Sequence, residues 1–452
     1  MNDQVISLQR AVEKIRGYLG RNKGANAKDS FLALATGDQA EVFNLLGAEE
    51  SATMLELLDV DATADLFDRL TESDTLEAAE YLSIEDLADV LEEMQPDEAA
   101  DLLGDLSEEQ AAQALEEMEE VELVLPLLAY ADETAGGRMT TEFIAMQQKT
   151  SVEKALQLLR DISPDHEVPY YVFVIDQAKK LSGVLGLREL VISSPNKIIE
   201  EIMDANVVSV RANMDQEEVA QMMARHELSA IPVVDCSQKM VGVITHDDIL
   251  DVVSEEATED MFRLAAVASK ELEPDSPVGQ HIRGRLPWLL LNTLTALFAA
   301  WIISHYEFLI VQVAALAVFQ TVVAGLGGNA SSQTVAVIVR SIALGRTSPD
   351  KVWKVLRREL VVGLLQGMAI GGIVALGVWF WRGNPYLGLV VGIALLGNLV
   401  VAGLVGAFIP LTLKAAGRDP ALASSVLVTA VTDSVGFLIF LSLAAYFLPR
   451  LL

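Results

Sequence analysis

The chain is divided into an acidic N-terminal part and a C-terminal part that holds five long apolar stretches. A helix that crosses a bilayer needs about 20 mostly apolar residues, and each stretch is close to that length or longer. The stretches cover residues 286–304, 308–328, 360–381, 387–413 and 421–447. Residues 285–452 are therefore predicted to form an α-helical transmembrane domain of five spans.

Charge divides the chain at the same point. The formal net charge is −32. From residue 285 onward, eleven basic and five acidic residues give +6, so the preceding residues carry −38. Such a region repels nucleic acid and attracts cations. It is predicted either to be a well-solvated acidic domain or to bind cations, and no nucleic-acid partner is expected.

The basic residues also predict the orientation of the spans. Short cytosolic loops are enriched in Lys and Arg, and the basic loops here lie before the first span and after the second and fourth. The first ten residues lack a basic region followed by an apolar core, so no cleaved signal peptide is predicted. We expect a multi-pass protein of the bacterial inner membrane, surrounded by lipid, with a cytosolic N-terminus and an external C-terminus. The single cysteine, Cys236, excludes a disulfide within one chain.

A polar segment, GGNASSQ at 327–333, follows the second apolar stretch, and apolar residues resume after it. One straight helix over 308–344 would be roughly 55 Å long at about 1.5 Å per residue, whereas the hydrocarbon core is about 30 Å thick. The helix is expected either to project into the cytosol or to break near the glycines. Asn329 and Gln333 share a helix face, where their amides either contact the water shell of an ion or form a polar helix end.

Asp433 lies near the middle of the last span, beside Thr432. A carboxylate at that depth costs at least about 2.5 kcal/mol on insertion scales. It is predicted either to be a protonated structural group or to face a hydrated pore and attract a cation. Hard divalent cations prefer oxygen ligands, and Mg²⁺ sheds water reluctantly. The candidate pore residues are Asp433, Asn329, Gln333, Thr432 and Asn398.

A twelve-residue repeat in the acidic part predicts a stack of short helices. Its units begin at Leu87, Ala99 and Ala111, and each follows a helix-start signal such as Ser83 or Ser107. Stacked repeats bury their apolar positions against their neighbours. The acidic positions then form either a solvated outer face or, where a second acidic surface closes against them, a cation sensor.

The chain pattern changes at about residue 136. Strand-like pairs at 170–176 with 181–186, and at 230–235 with 240–245, are each preceded by a helical stretch. This duplicated order resembles a tandem pair of CBS domains, which are regulatory modules that often bind adenine nucleotides. The resemblance implies that Thr245 and Asp248 contact a nucleotide, and ATP is a possible cofactor.

A predicted helix after residue 246 carries acidic residues on neighbouring turns. Glu255, Glu256, Glu259 and Asp260 repel one another at this spacing. A cation held between this helix and the acidic N-terminal stack would remove the repulsion and favour one arrangement of the two.

Together, these segments resemble the MgtE family of magnesium channels over nearly the whole chain. The motifs that carry the resemblance are PDEAAD at 96–101, AGGRMTTEF at 135–143, EEATED at 255–260, GGNASSQ at 327–333, DPALAS at 419–424 and Thr432-Asp433. Family members have Met-Pro where this chain has Gln320-Thr321, Pro where Val426 stands and often Gly where Ser331 stands. Loss of two helix-kinking prolines predicts a change in pore shape and leaves ion preference open.

The resemblance implies a multidomain fold: an all-α superhelical N-domain at 1–133, α/β CBS copies at 134–200 and 201–260, a connecting plug helix at 261–284 and a pore domain at 285–452. It also implies a homodimeric, Mg²⁺-selective channel that is not an enzyme and that cytosolic Mg²⁺ closes. Asp433 would be the pore ligand, with Asn329 nearby. The implied regulatory metal residues are Asp97, Asp101, Asp247, Asp251, Glu255, Glu256, Glu259 and Asp260.

Three other functions stay open on the residues alone. One is a divalent-cation carrier of altered selectivity, for example for Co²⁺ or Mn²⁺. Another is a membrane-tethered CBS nucleotide sensor without transport. An intramembrane aspartyl hydrolase would need two carboxylates, and the predicted spans contain only Asp433.

Overall fold

The computed structural model describes residues 2–161, 171–267, 276–347, 352–422 and 425–452. The chain divides into two compact units, Met1–Val252 and Val253–Leu452. Parts of the expected connecting helix (268–275) and of the DPALAS motif (423–424) lie outside the described residues.

The first part of the N-terminal unit is helical, as predicted. Its helices are α1 Asn2–Leu19, α2 Gly24–Leu32, α3 Thr36–Asn44, α4 Ala48–Leu55, α5 Val60–Phe67, α6 Glu72–Ala79, α7 Ile84–Glu93, α8 Pro96–Asp105, α9 Glu108–Glu117 and α10 Val121–Val124, followed by a short 3-10 turn at Leu127–Ala129. Helices α7, α8 and α9 start twelve residues apart, which confirms the repeat. The Ser83 and Ser107 hydroxyls accept hydrogen bonds from the backbone N–H groups of Asp86 and Gln110, at 3.1 and 3.3 Å.

The apolar positions of these short helices form one continuous core. Phe31, Phe67, Leu66 and Leu91 are almost fully buried in it. Full burial of such a side chain is worth about 1.5–3 kcal/mol. Helices of eight to ten residues are marginal in isolation, so this shared core rather than helix propensity stabilises the stack.

Two small sheets of the same topology follow. The strands of the first are β1 Ala145–Gln147, β2 Tyr171–Ile175 and β3 Leu181–Gly186, and those of the second are β4 Val210–Arg211, β5 Ala230–Val234 and β6 Met240–Thr245. The first strand of each sheet pairs in parallel with the second, which pairs antiparallel with the third. The associated helices are α11 Val152–Asp161, α12 Leu187–Ile192 and α13 Gln216–His226, with a 3-10 turn at Ile199–Glu201.

One glycine occupies the same place in each sheet. A Cβ atom on Gly183 would lie 2.5 Å from the Met203 sulfur, and one on Gly242 would lie 2.5 Å from the Met139 sulfur. Each methionine belongs to a segment that pairs with the sheet, for instance through the mutual backbone hydrogen bonds of Thr140 and Val243 at 2.9 and 3.0 Å. The duplication predicted from the sequence therefore extends to packing detail.

The remaining helices belong mostly to the second unit. They are α14 His246–Leu264, which begins in the first unit, then α15 Val278–Ser304, α16 Glu307–Gln312, α17 Ala315–Ala343, α18 Val352–Arg382, α19 Pro385–Ala415, α20 Ser425–Tyr446 and α21 Leu448–Leu451, with a 3-10 turn at Pro420–Leu422. Among the described residues, five helices are long and apolar enough to cross a membrane: α15, α17, α18, α19 and α20. This confirms the predicted number of spans.

The structure decides between the two expectations for the second span. Helix α17 is unbroken over 29 residues and runs through Gly327 and Gly328. The chain instead turns at Val313, whose φ and ψ are −130° and 82°, between α16 and α17. At about 1.5 Å per residue, α17 is roughly 44 Å long and exceeds a hydrocarbon core of about 30 Å.

Helices α18 and α19 pack backbone to backbone. A Cβ atom on Gly363, Gly367 or Gly371 would approach the α19 backbone to 2.9, 2.8 or 2.7 Å, respectively. Small residues at this spacing permit close helix contact in lipid, where van der Waals packing replaces the hydrophobic effect as the driving force. The three glycines, four residues apart on one helix face, therefore serve packing.

Candidate functional site

The candidate pore residues lie on three helices that pack together, α17, α19 and α20. On α17, Asn329 and Gln333 are exposed on one face. Asp433 on α20 is partly buried, and the neighbouring Thr432 is buried with its hydroxyl donating to the Thr429 carbonyl at 3.0 Å. Polar side chains exposed on a membrane span need protein or water beside them, because lipid cannot satisfy them.

Helices α17 and α20 approach closely beside these residues. A Cβ atom on Gly328 would meet the Thr429 side chain at 3.3 Å. Gly328 precedes Asn329, and Thr429 lies one helical turn before Asp433. The structure therefore brings the amide and the carboxylate onto neighbouring turns of two helices in contact, although they are about a hundred residues apart in sequence.

Asn398 occupies a different environment from the other candidates. It is fully buried, and its Nδ2 donates to the Val323 carbonyl on α17 at 2.9 Å. A Cβ atom on Gly327 or on Gly436 would lie 2.1 or 2.7 Å from that amide nitrogen, so two glycines make room for it. This geometry makes Asn398 a residue that positions α17 against α20. Its predicted contact with an ion stays a prediction.

Glu359 is a polar contact that the sequence reasoning missed. Its carboxylate is hydrogen-bonded to Thr334 on α17, and its backbone oxygen lies 3.2 Å from the position of a Cβ atom on Gly403 of α19. The signal in the sequence was a lone carboxylate directly before the third apolar stretch. Because that stretch was predicted to begin at residue 360, Glu359 was placed in the preceding loop.

A group of carboxylates gathers in the N-terminal unit. Asp97 in the first turn of α8 is only 6 % exposed, and among the described residues its Oδ1 has no hydrogen-bond partner. Burial raises the pKa of Asp97 to about 8, with a further contribution from the negative charges of Asp248 and Asp101. Burial likewise raises the pKa of Asp101 to about 7, against the opposing effect of Arg138, whose Nη1 lies 3.8 Å from its Oδ2.

The residues predicted to contact a nucleotide bond to each other. Thr245 precedes α14, and its backbone N–H and hydroxyl donate to Asp248 Oδ2 at 3.0 and 2.6 Å. Asp248, in the first turn of α14, thus accepts from the backbone N–H of the residue before the helix, as in one half of a capping box. Burial raises the pKa of Asp248 despite these bonds. Asp247 and Asp251 are exposed one turn apart on α14.

These carboxylates suit a cation that keeps its water shell better than one that is coordinated only by protein atoms. In the part of the chain that the structure describes, no three His, Cys, Asp or Glu side chains converge closely enough to form a ready-made metal site. The buried, unpartnered oxygen of Asp97 and the neighbouring carboxylates of Asp101 and Asp248 still fit a cation. Mg²⁺ usually keeps several waters and uses only one or two carboxylates.

One acidic residue of α14, Glu259, has a basic partner one turn further along the same helix. Arg263 forms ion pairs with Glu259, which is buried, and with Asp419. Asp419 also accepts a hydrogen bond from the Ala421 backbone N–H at 2.7 Å. Leu264 packs against the apolar cluster that contains Val339. Sequence reasoning assigned Glu259 to a metal site and missed its pairing with Arg263. Glu255, Glu256 and Asp260 lie on the same helix, α14.

Comparison with known proteins extends these observations. Residues 34–133 match the family model of the MgtE intracellular N domain, residues 199–255 that of the CBS domain, and residues 320–443 that of a divalent cation transporter. The magnesium transporter MgtE of Thermus thermophilus is 40% identical over 321 residues, which cover 70% of this chain and 71% of the relative. The magnesium transporter MgtE of Enterococcus faecalis is 36% identical over 330 residues, with 73% and 72% coverage.

Two solved structures resemble the N-terminal unit. The soluble part of a magnesium transporter is 32% identical with a TM-score of 0.51, and the match covers 55% of this chain and 99% of that one. The cytosolic domain of the Mg²⁺ channel MgtE in complex with ATP is 31% identical with a TM-score of 0.51, covering 53% and 99%.

The helical acidic domain, the CBS pair and the five spans define a multi-pass membrane transport protein. The chain belongs to the MgtE family of magnesium transporters. The prediction that it is not an enzyme is confirmed by the relatives, which are named as transporters.

Proposed function

We propose that the chain is a homodimeric, Mg²⁺-selective channel whose pore is lined by α17 and α20. The observation that carries the proposal is the position of Asp433, a carboxylate inside a span and one turn from the contact between Thr429 and Gly328. In a dimer, two copies of Asp433 and of Asn329 would face one hydrated path. Asp433 would supply charge, while the amides of Asn329 and Gln333 would contact the water shell of the ion.

We further propose that cytosolic Mg²⁺ closes the channel. Regulatory ions would be held by Asp97, Asp101, Asp247 and Asp251 in the N-terminal unit, and by the acidic residues of α14 in the second unit. The buried, unpartnered carboxylate of Asp97 supports this role, since a divalent cation would displace its proton and offset the repulsion from Asp248. Binding would favour the closed arrangement over the open one.

The proposed orientation places the N-terminus in the cytosol and the C-terminus outside, in the bacterial inner membrane. The basic residues between α17 and α18 and those after α19 support it. ATP is a proposed ligand of the CBS pair, because a related cytosolic domain is known in complex with ATP. Thr245 and Asp248 would contact it.

The pore assignment is tested by Mg²⁺ influx into proteoliposomes. The native chain is compared with Asp433→Ala and with Asp433→Asn, which keeps the shape and removes the charge, at low and high internal Mg²⁺. We expect influx to fall at least tenfold in both variants, and native influx to fall as internal Mg²⁺ rises. Equal influx in all three proteins would remove Asp433 from the pore. Native influx of Co²⁺ or Mn²⁺ but not Mg²⁺ would favour the carrier of altered selectivity.

The sensor assignment has a readout that does not depend on flux. Mg²⁺ should protect the full-length protein from limited proteolysis, and Asp97→Asn should abolish much of that protection. Asp89→Asn is the control, because it makes the same change at an exposed position of the preceding helix, α7. Protection by ATP alone, with no Mg²⁺ effect and no influx, would instead support the nucleotide sensor.

A further inference from the structure

A groove of about 450 Å³ lies between the first turns of α18 and the second half of α19. Its walls include Trp353, Leu356, Leu360, Leu404 and Phe408, and the charged residue in the lining is Arg357. The volume is within the range of about 300–1,000 Å³ that is typical of small-molecule sites. None of the candidate pore residues lines it.

The groove opens onto the outside of the second unit. Trp353 is 80% exposed and Phe408 is 50% exposed. Since α18 and α19 are both membrane spans, acyl chains surround this surface in the bilayer. Leu360, Leu404 and Phe408 offer such a chain an apolar wall. Tryptophan is enriched at the membrane–water interface, and Trp353 in the first turn of α18 marks that level.

Positive charge is concentrated beside the groove. Lys354, Arg357 and Arg358 are all exposed in the first two turns of α18. Among the described residues, neither Lys354 nor Arg357 has a carboxylate within ion-pair distance, and the side chain of Glu359 bonds to Thr334 on α17. The helix dipole disfavours cations in the first turn of a helix. An anion here would offset both this effect and the lack of carboxylate partners for the basic side chains.

We propose that this groove is a binding site for an anionic phospholipid. One acyl chain lies against Leu360, Leu404 and Phe408, and the phosphate is bound by Arg357 and Lys354. A bare apolar groove would take any lipid, whereas the basic cluster selects a negatively charged headgroup. The site is separate from the ion pathway and does not depend on the ion that the protein transports.

Charge also favours a lipid over a helix from a second copy of the chain. From residue 285 onward the chain has five acidic side chains against eleven basic ones. Of the five, Asp419 pairs with Arg263, and Glu359 bonds to Thr334. A second transmembrane unit therefore offers few carboxylates for Arg357 and Lys354, while every anionic phospholipid offers a phosphate.

The proposal is tested by native mass spectrometry of the full-length protein with phosphatidylglycerol or phosphatidylcholine at equal concentrations. We expect the native protein to retain phosphatidylglycerol preferentially. Arg357→Gln should weaken that binding about fivefold, which is the effect of one basic residue beside an anionic headgroup. Arg346→Gln is the matched control, because it removes an exposed charge from the loop before α18 and lies outside the groove. Leu404→Trp, which fills the groove, should weaken binding of both lipids.

Two further measurements keep the outcome decisive. Arg357→Lys retains the charge and should retain most of the binding, and a melting temperature in detergent shows that each variant is folded. Equal retention of the two lipids, or equal losses in Arg357→Gln and Arg346→Gln, would overturn the proposal. Efficient disulfide-linked dimers of Phe408→Cys in a Cys236→Ser background would also overturn it, because a second copy would then occupy the groove.

Discussion

Arg263, in the last turn of α14, is paired with Asp419, which lies 156 residues further along the chain and directly before the 3-10 turn that leads to α20. The same guanidinium also pairs with Glu259 one turn earlier. Because Asp419 additionally caps the backbone at Ala421, the contact ties the end of α14 to the segment that carries the last span. This pairing anchors the last turns of α14 within the second unit.

The first prediction concerns that anchor. Arg263→Gln removes both ion pairs and leaves Glu259 buried without a cation, so the end of α14 should open more often. A hydrogen bond to a charged group is worth about 1.5–3 kcal/mol, and partial exposure places this one toward the lower value. Amide hydrogen exchange of residues 253–264 in the full-length protein should become about tenfold faster. Arg418→Gln, an exposed neighbour of Asp419, is the control and should exchange at the native rate.

The second prediction concerns pH. The pKa of Asp97 is raised to about 8 in the folded chain, while the unfolded chain releases the proton near the ordinary value of about 4. Between these values the folded chain binds the proton and the unfolded chain does not, so stability falls as pH rises toward 8. Without Mg²⁺, Asp97→Asn should therefore gain on the order of 1–2 kcal/mol relative to the native chain between pH 6 and pH 8. Denaturant unfolding at both pH values, in the presence of a chelator, measures this difference. If the difference in unfolding free energy between the variant and the native chain were the same at pH 6 and pH 8, the raised pKa of Asp97 would be contradicted.

The third prediction concerns the junction of α17, α19 and α20. Gly327→Ala would place a methyl group 2.1 Å from the Asn398 amide nitrogen, so the variant must shift one helix or displace the amide. Overpacking of this kind costs about 1–3 kcal/mol. The double variant Gly327→Ala with Asn398→Ala should lose less stability than the sum of the two single variants. Thermal unfolding in detergent provides the comparison, and strict additivity would mean that the two residues do not share this space.

The fourth prediction compares two glycines of α18. Gly367→Ala should destabilise the second unit, because its Cβ would approach the Leu396 Cα to 2.8 Å. Gly372→Ala should be neutral or stabilising by up to about 1 kcal/mol, since nothing lies within 4 Å of that position and alanine is the better helix former. The melting temperatures of the two variants in the same detergent measure this difference in stability. A similar loss in both would argue against close packing of α18 on α19.

Much of the architecture follows from local pattern. The five spans, the twelve-residue repeat and the two sheets each leave a periodic or compositional signal in a continuous segment, which is why they could be predicted. Asp433 could also be singled out from the sequence, because a carboxylate among apolar residues is costly wherever the span packs. For the polar segment at 327–333, however, the pattern allowed both a break and a projecting helix.

The sequence by itself determined which segments enter the membrane and which carry the acidic charge, since apolar length and net charge are properties of a segment. Only the tertiary structure decided that α17 runs unbroken past Gly327, that Asn398 fills the space above that glycine and that Arg263 pairs with Asp419. The last two relationships join residues 71 and 156 positions apart. No local periodicity encodes them, because they depend on how helices formed from separate segments pack side by side.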